Sequence, residues 1–161
     1  MNVSSIARQL FFVHISLLVF WVLLFSSCKA DETDNILPSY TVRGLATGAR
    51  MMPTVTGSGS ASLTGTFNPN NRLLSYNSSW TILSGVPIGG GFYGGGSGIL
   101  ASPVGTAWVF NGSLTSTGST SGSLVLTRAQ AQELLSGSWF FKYNTTSNPS
   151  GEVAGQVKLT R

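Results

Sequence analysis

The sequence predicts an all-β fold: a two-sheet antiparallel β-sandwich of about seven or eight strands with one short helix, a β-barrel being the nearest alternative. Three observations lead there. Only 9% of the 161 residues are charged against 42% hydrophobic, and 20 are glycine, a balance that suits an extracellular β domain better than a cytosolic helical one. Several segments alternate apolar and polar residues with a period of two. Clusters of Asn, Pro, Gly and Ser separate those segments at short intervals.

Residues 1–27 are expected to form a secretory signal. Arg8 supplies its positive start, and Leu10 to Phe25 is an apolar stretch of 16 residues interrupted by His14 and Ser16. That is short of the about 20 residues a spanning helix needs. Leu24-Phe25-Ser26-Ser27-Cys28 resembles a lipobox, in which small residues precede a cysteine that receives lipid, although Phe25 stands where Leu is usual. The resemblance implies lipidation of Cys28; an ordinary signal peptide with an incidental Cys and an uncleaved anchor are the alternatives. Residues 28–39 read as a polar tether carrying Asp31, Glu32 and Asp34, with little to bury. The run Cys28-Lys29-Ala30-Asp31-Glu32 resembles the acidic export signal of bacterial surface lipoproteins, a plain solvated linker being the other reading.

Residues 40–161 then read as one domain. Tyr40 to Ala46 is the first strand. Ala61, Leu63, Gly65 and Phe67 share one face of the next, Asn68-Pro69-Asn70-Asn71 makes a turn, and Leu74, Tyr76, Ser78 and Trp80 line the returning strand. Gly85 to Gly98 is the least regular part. Strand character resumes over Thr106 to Leu114, Gly118 to Ser123 is expected to turn, and Leu124 to Leu126 to form a short strand. Thr127 and Gln130 have the spacing of a capping box, so Arg128 to Leu135 is the expected helix, stopped near Gly137 and packed through Leu134 and Leu135. A hairpin closes the domain. Its first arm points Trp139, Phe141 and Tyr143 inward and Phe140, Lys142 and Asn144 outward; its second arm is Glu152 to Leu159.

The closing sequence, Tyr143-Asn144-Thr145 through Asn148-Pro149 to Gly151-Glu152-Val153-Ala154-Gly155-Gln156, resembles the last motif of the CHRD domain, a module named for chordin. Gly48-Ala49-Arg50-Met51-Met52-Pro53-Thr54-Val55 is similar to the family's opening motif at Gly48, Ala49, Pro53 and Val55. The resemblance spans about residues 45–160. It implies three histidines that could hold zinc or copper, but those positions fall on Gly91, Tyr93 and Asn144. No metal site and no cofactor are therefore expected.

The rest of the inventory narrows function further. Net charge is +4, from basic residues scattered singly, so the composition does not point to nucleic acid. The only His is His14 and the only Cys is Cys28, so an intrachain disulfide is excluded and the usual acid–base partner for nucleophilic catalysis is missing from the domain. Its carboxylates are Glu133 and Glu152, the latter expected to order a turn by accepting backbone hydrogen bonds. No catalytic residue is assigned. The candidates for ligand contact are Phe92, Tyr93, Phe140 and Asn144, aromatic groups beside an amide that could stack on a sugar or a partner side chain; the alternative is that they fill a groove left by the glycines. The sequence thus describes a non-catalytic lipoprotein of the cell envelope, held in the outer membrane by lipid on Cys28 and binding or scaffolding a protein or glycan outside the cell or in the periplasm. An enzyme or metal protein with an unrecognised site, and a purely structural surface module, are the competing classes.

Overall fold

The computed structural model describes residues 36–94, 102–108, 110 and 115–161. The expected signal, Cys28 and most of the tether lie outside the described residues, as do the end of the glycine-rich run and Leu114. Nine strands account for most of the rest: β1 (Tyr40–Thr47), β2 (Ser60–Asn68), β3 (Leu73–Thr81), β4 (Pro87–Gly94), β5 (Ser102–Val104), β6 (Gly118–Val125), β7 (Phe140–Thr145), β8 (Val153–Gln156) and β9 (Lys158–Thr160). A short 3-10 turn, Gly48–Arg50, follows β1, and one helix, α1 (Arg128–Leu135), precedes β7.

All pairings are antiparallel, and the ladder runs β5-β4-β7-β8-β1-β2-β3-β6, with β9 also on β1. The path is continuous where two separate sheets were expected. The join is narrow, since β8 meets β1 through one residue pair, Thr47 with Ala154. Aromatic contacts show how the sheet curls. Trp80 of β3 lies 5.4 Å from Tyr143 of β7, and Tyr76 of β3 lies 5.0 Å from Phe92 of β4, although β8, β1 and β2 intervene in the ladder. The β1–β2–β3–β6 limb therefore folds over the β4–β7–β8 limb, with the core between them. At the open side the edge strands approach: a Cβ on Gly105, just past β5, would sit 3.4 Å from the Leu124 side chain of β6.

The β2–β3 hairpin follows its alternation. Ala61, Leu63, Phe67, Leu74, Ser78 and Trp80 are buried, and Asn68 pairs with Leu73 across the turn. The helix also forms as its capping residues dictate: the Gln130 amide N–H donates to Thr127 Oγ1 at 3.2 Å, and the Thr127 amide N–H to Gln130 Oε1 at 2.9 Å. Gly137 ends it at φ +76°, the left-handed geometry a helix stop favours. Leu134 is buried as expected, but Leu135 is 45% exposed, because Ala131 and Leu134 alone make the packed stripe of this two-turn helix. Leu37, in the expected tether, exchanges two hydrogen bonds with the Asn70 side chain, so the chain is already fixed to the β2–β3 turn before β1 begins.

Two segments differ more. Pro87 to Gly94, read as irregular, is strand β4, and Gly118 to Ser123, read as a turn, belongs to the eight-residue β6. One cause serves both. On β6, Trp80 stands opposite Gly118 and Tyr76 opposite Gly122; on β4, the Trp108 ring lies against Gly90, 3.0 Å from where a Cβ on that glycine would be. A Cβ at Gly118 would lie 2.6 Å from Trp80 Cζ2, and one at Gly122 2.7 Å from the Tyr76 hydroxyl. Gly118 and Gly122 are spaces filled by rings from the next strand, and Gly90 by the Trp108 ring, a device that keeps glycine-containing strands ordered. Trp108 is buried as expected, yet residues 105–108 run beside β4 without joining a ladder; the Trp108 amide N–H donates to the Gly90 carbonyl at 3.0 Å.

Gly155 marks a close approach of the two limbs, because its position faces the backbone of Leu45 and Ala46 on β1. Gly155→Ala is therefore expected to destabilise the fold by about 1–3 kcal/mol, read as a lower urea midpoint. A variant as stable as the parent would mean that β8 can move off β1 without loss.

Candidate functional site

The closing hairpin is fastened by a carboxylate. Glu152 is 3% exposed, follows Gly151 at φ +134°, and points into the loop that joins β3 to β4. The Ser84 amide N–H donates to its Oε1 at 2.7 Å, and the Ser84 and Thr145 hydroxyls donate to Oε2 at 2.8 and 2.6 Å. Asn148 Nδ2 donates to Ser84 Oγ at 3.0 Å, and the Asn148 amide N–H to Thr145 Oγ1 at 3.1 Å. The expected role in ordering the turn is present, but the backbone donor comes from the neighbouring loop, so Glu152 ties two loops together. Burial pushes its carboxyl up, while the bonds from Thr145, Ser84 and Asn148 outweigh that and hold it below the ordinary value.

A second polar chain crosses the core. The Tyr143 hydroxyl donates to Ser78 Oγ at 2.8 Å, and Ser78 Oγ to the Ser62 carbonyl at 3.0 Å. Burial raises the Tyr143 phenol far above its usual range, so it stays protonated as a donor. Glu133 lies near Trp139 Nε1 (3.4 Å), before the start of β7, whereas Glu152 bonds Thr145 at its end. A six-residue strand separates the two carboxylates by about 20 Å. Among the described residues, no three His, Cys, Asp or Glu side chains gather in a group that could hold a metal.

The four candidate contact residues divide between the two faces of the sheet. Phe92 is 1% exposed and belongs to the core, in edge-on contact with Tyr76 and Trp108, because β4 alternates and puts its neighbours outside. Tyr93, opposite Phe140, stacks on that ring at 5.3 Å and 13° on the outward face. Lys142 Nζ sits 4.7 Å from the Tyr93 ring centre and donates to the Ser150 carbonyl at 3.0 Å. Both flanking groups are half-buried, which raises the Tyr93 phenol and lowers the Lys142 ammonium. Asn144 stands opposite Gly89; its Oδ1 is shielded from solvent and has no hydrogen-bond partner among the described residues. Gly91 faces Lys142, so Tyr93, Gly91, Lys142 and Asn144 share the outward surface, with Gly89 and Gly91 as its floor. The β7 alternation made Phe140 and Lys142 legible there; the Tyr93–Lys142 contact was missed, since it needs the β4–β7 register.

The sequence model of the CHRD domain matches residues 42–157, from β1 to the end of β8. The chain belongs to the CHRD domain family. No curated protein and no solved structure matches it. In this CHRD domain the closing motif has a physical meaning: Thr145, Asn148 and Glu152 are the groups bonded around Ser84, and Gly155 lets β8 lie against the backbone of Leu45 and Ala46. The positions that align with the family's usual histidines, Gly91, Tyr93 and Asn144, all lie on β4 and β7.

The Glu152 bonds favour its charged form, which fixes the direction of an acid effect. An unfolded carboxyl ionises near 4.5 and the folded one lower. The contribution is complete above the unfolded value and is lost as the pH falls through the folded one. Glu152→Gln should therefore differ from the parent most near neutral pH, and the gap should shrink below about pH 4.5. Glu152→Ala should cost roughly 1–3 kcal/mol for each buried donor left unpaired. Urea titrations over a pH series check both; a gap that does not change with pH would remove the ionised carboxylate from the account.

Proposed function

We propose that this CHRD protein is a non-catalytic lipoprotein of the cell envelope, carried to the outer membrane by lipid on Cys28, whose domain binds a partner outside the cell through the outward face of β4 and β7. The observation that carries the reading is the Tyr93–Phe140 stack with Lys142 against it, half-exposed above two glycines. A parallel ring pair with a cation beside it and an amide further along offers a flat apolar edge and polar groups to a sugar ring or an aromatic side chain. The carboxylates support a binding role over catalysis, since Glu152 is committed to the loops around Ser84.

Lipid on Cys28 should fix the protein to membranes at about 0.8 kcal/mol per buried CH₂. Cys28→Ala is expected to move it into the soluble fraction, and unchanged membrane association would mean that the apolar stretch from Leu10 remains as the anchor. For the binding face, the full chain is immobilised and exposed to solubilised envelope protein and glycan, and the retained species are compared with those held by Tyr93→Ala/Phe140→Ala. Loss of a retained species in the double variant, at an unchanged melting temperature, is the expected result. Identical retention by both would leave the structural module as the better account.

A further inference from the structure

Arg43, Arg50 and Lys158 line one open groove of about 380 Å³ on the outside of β1, β2 and β9. Val42 and Ala46 are buried, so the alternation of β1 turns Arg43 and the 63% exposed Leu45 outward. Arg43 stands directly opposite Lys158 in the ladder. Like charges at opposed positions oppose folding, and among the described residues neither acidic side chain is placed against them. Residues 36–161 carry seven cationic side chains and two acidic ones. Of the two acids, Glu152 is enclosed by Ser84 and Thr145, and Glu133 lies beside Trp139. Among the described residues no hydrogen bond from the side chains of Arg43, Arg50 or Lys158 is formed, whereas Arg72, Lys142 and Arg161 each have a partner.

The register extends this site. Lys158, Arg43, Thr64, Asn77 and Ser121 occupy successive opposed positions on β9, β1, β2, β3 and β6. At about 4.8 Å per strand the row is roughly 19 Å long, with two cations at one end and hydroxyl and amide groups along the rest. Ser62 and Ser79 form a second opposed pair beside it, their hydroxyls 2.8 Å apart. We infer that this face binds an acidic polysaccharide, its carboxylate or sulfate groups held by Arg43, Arg50 and Lys158 and its sugar hydroxyls by the polar row. An extended acidic peptide fits less well. β1, β2 and β3 are paired on both edges over this region, so a peptide finds no free backbone to pair with.

The groove lies on strands other than those carrying Tyr93 and Phe140, so its test is independent of the proposed partner face. The full chain is titrated at about 0.15 M salt, where weak long-range attraction is screened, with polygalacturonate, heparin, dextran and polyglutamate. Polygalacturonate or heparin should bind and dextran should not, the preferred polymer identifying carboxylate or sulfate as the anchored group. Arg43→Gln/Lys158→Gln should weaken that binding at least about tenfold, roughly two lost surface ion contacts. Arg128→Gln/Arg161→Gln removes the same charge elsewhere and should change it less than about threefold. Arg43→Lys, which keeps the charge, should retain binding and serves where the double variant melts early. Equal weakening by both double variants, absence of binding by either acidic polysaccharide, or polyglutamate binding as tightly as they do would overturn the inference.

Discussion

The structure depends on large rings lying over glycines of the strands they pack against. Trp80 over Gly118, Tyr76 over Gly122, Trp108 over Gly90 and Phe141 over Gly44 are the same contact repeated on both limbs of the sheet. Each ring takes the volume that a neighbouring side chain would have filled, so it lies down toward the sheet and still meets rings from the opposite limb. Trp108 meets rings from both limbs, with Tyr143 at 4.9 Å, Phe92 at 5.3 Å, Tyr76 at 5.6 Å and Phe141 at 6.3 Å. Dispersion and apolar burial, which need no directional partner, then hold the curl. A strand of larger residues at β4 or β6 would force those rings upright and the limbs apart.

The polar interactions act at the margins of that core. Glu152 holds the far loops together, and the Tyr143–Ser78–Ser62 chain fixes the relative height of β7 against β2 and β3. Both are built from groups whose hydrogen-bond capacity is used internally. The outward faces divide differently, with aromatic and cationic groups on β4–β7 and cations with hydroxyls on β9–β1–β2–β3. The interior is occupied by structure, and the free polar and aromatic groups lie on the outward faces.

How much of this could be read from the sequence follows from the range of each interaction. The β2–β3 hairpin, α1 and the outward position of Phe140 and Lys142 depend on residues within one or two turns or strands of each other, and their period or capping residues announce them. The CHRD motif was legible for the same reason, since Thr145, Asn148 and Glu152 lie within eight residues. What escaped depends on a partner distant in the chain. A run such as Pro87-Ile88-Gly89-Gly90-Gly91 looks like a loop until Tyr143, more than fifty residues on, is seen to complete it. Phe92 and Tyr93 look alike in a segment read as irregular, where contact with a ligand and filling of a groove stay open alternatives; the period of β4 sends them to opposite faces. The continuous ladder was likewise hidden, since a single pair, Thr47 with Ala154, carries the join. The cationic row needed the register of five strands, and no local pattern contains it.

The pairing of β9 with β1 has an architectural consequence. Thr41 stands opposite Thr160, and the Arg161 guanidinium bonds the Tyr40 hydroxyl, so the chain enters and leaves the sheet at neighbouring points. A unit of this kind can be spliced into a surface loop of another protein without prising its host apart, or have its ends joined and be opened at a different turn. Its geometry makes it a pendant rather than a link: repeated along a polypeptide, such units would project sideways like beads on short stalks and add little to the contour length of the chain that carries them.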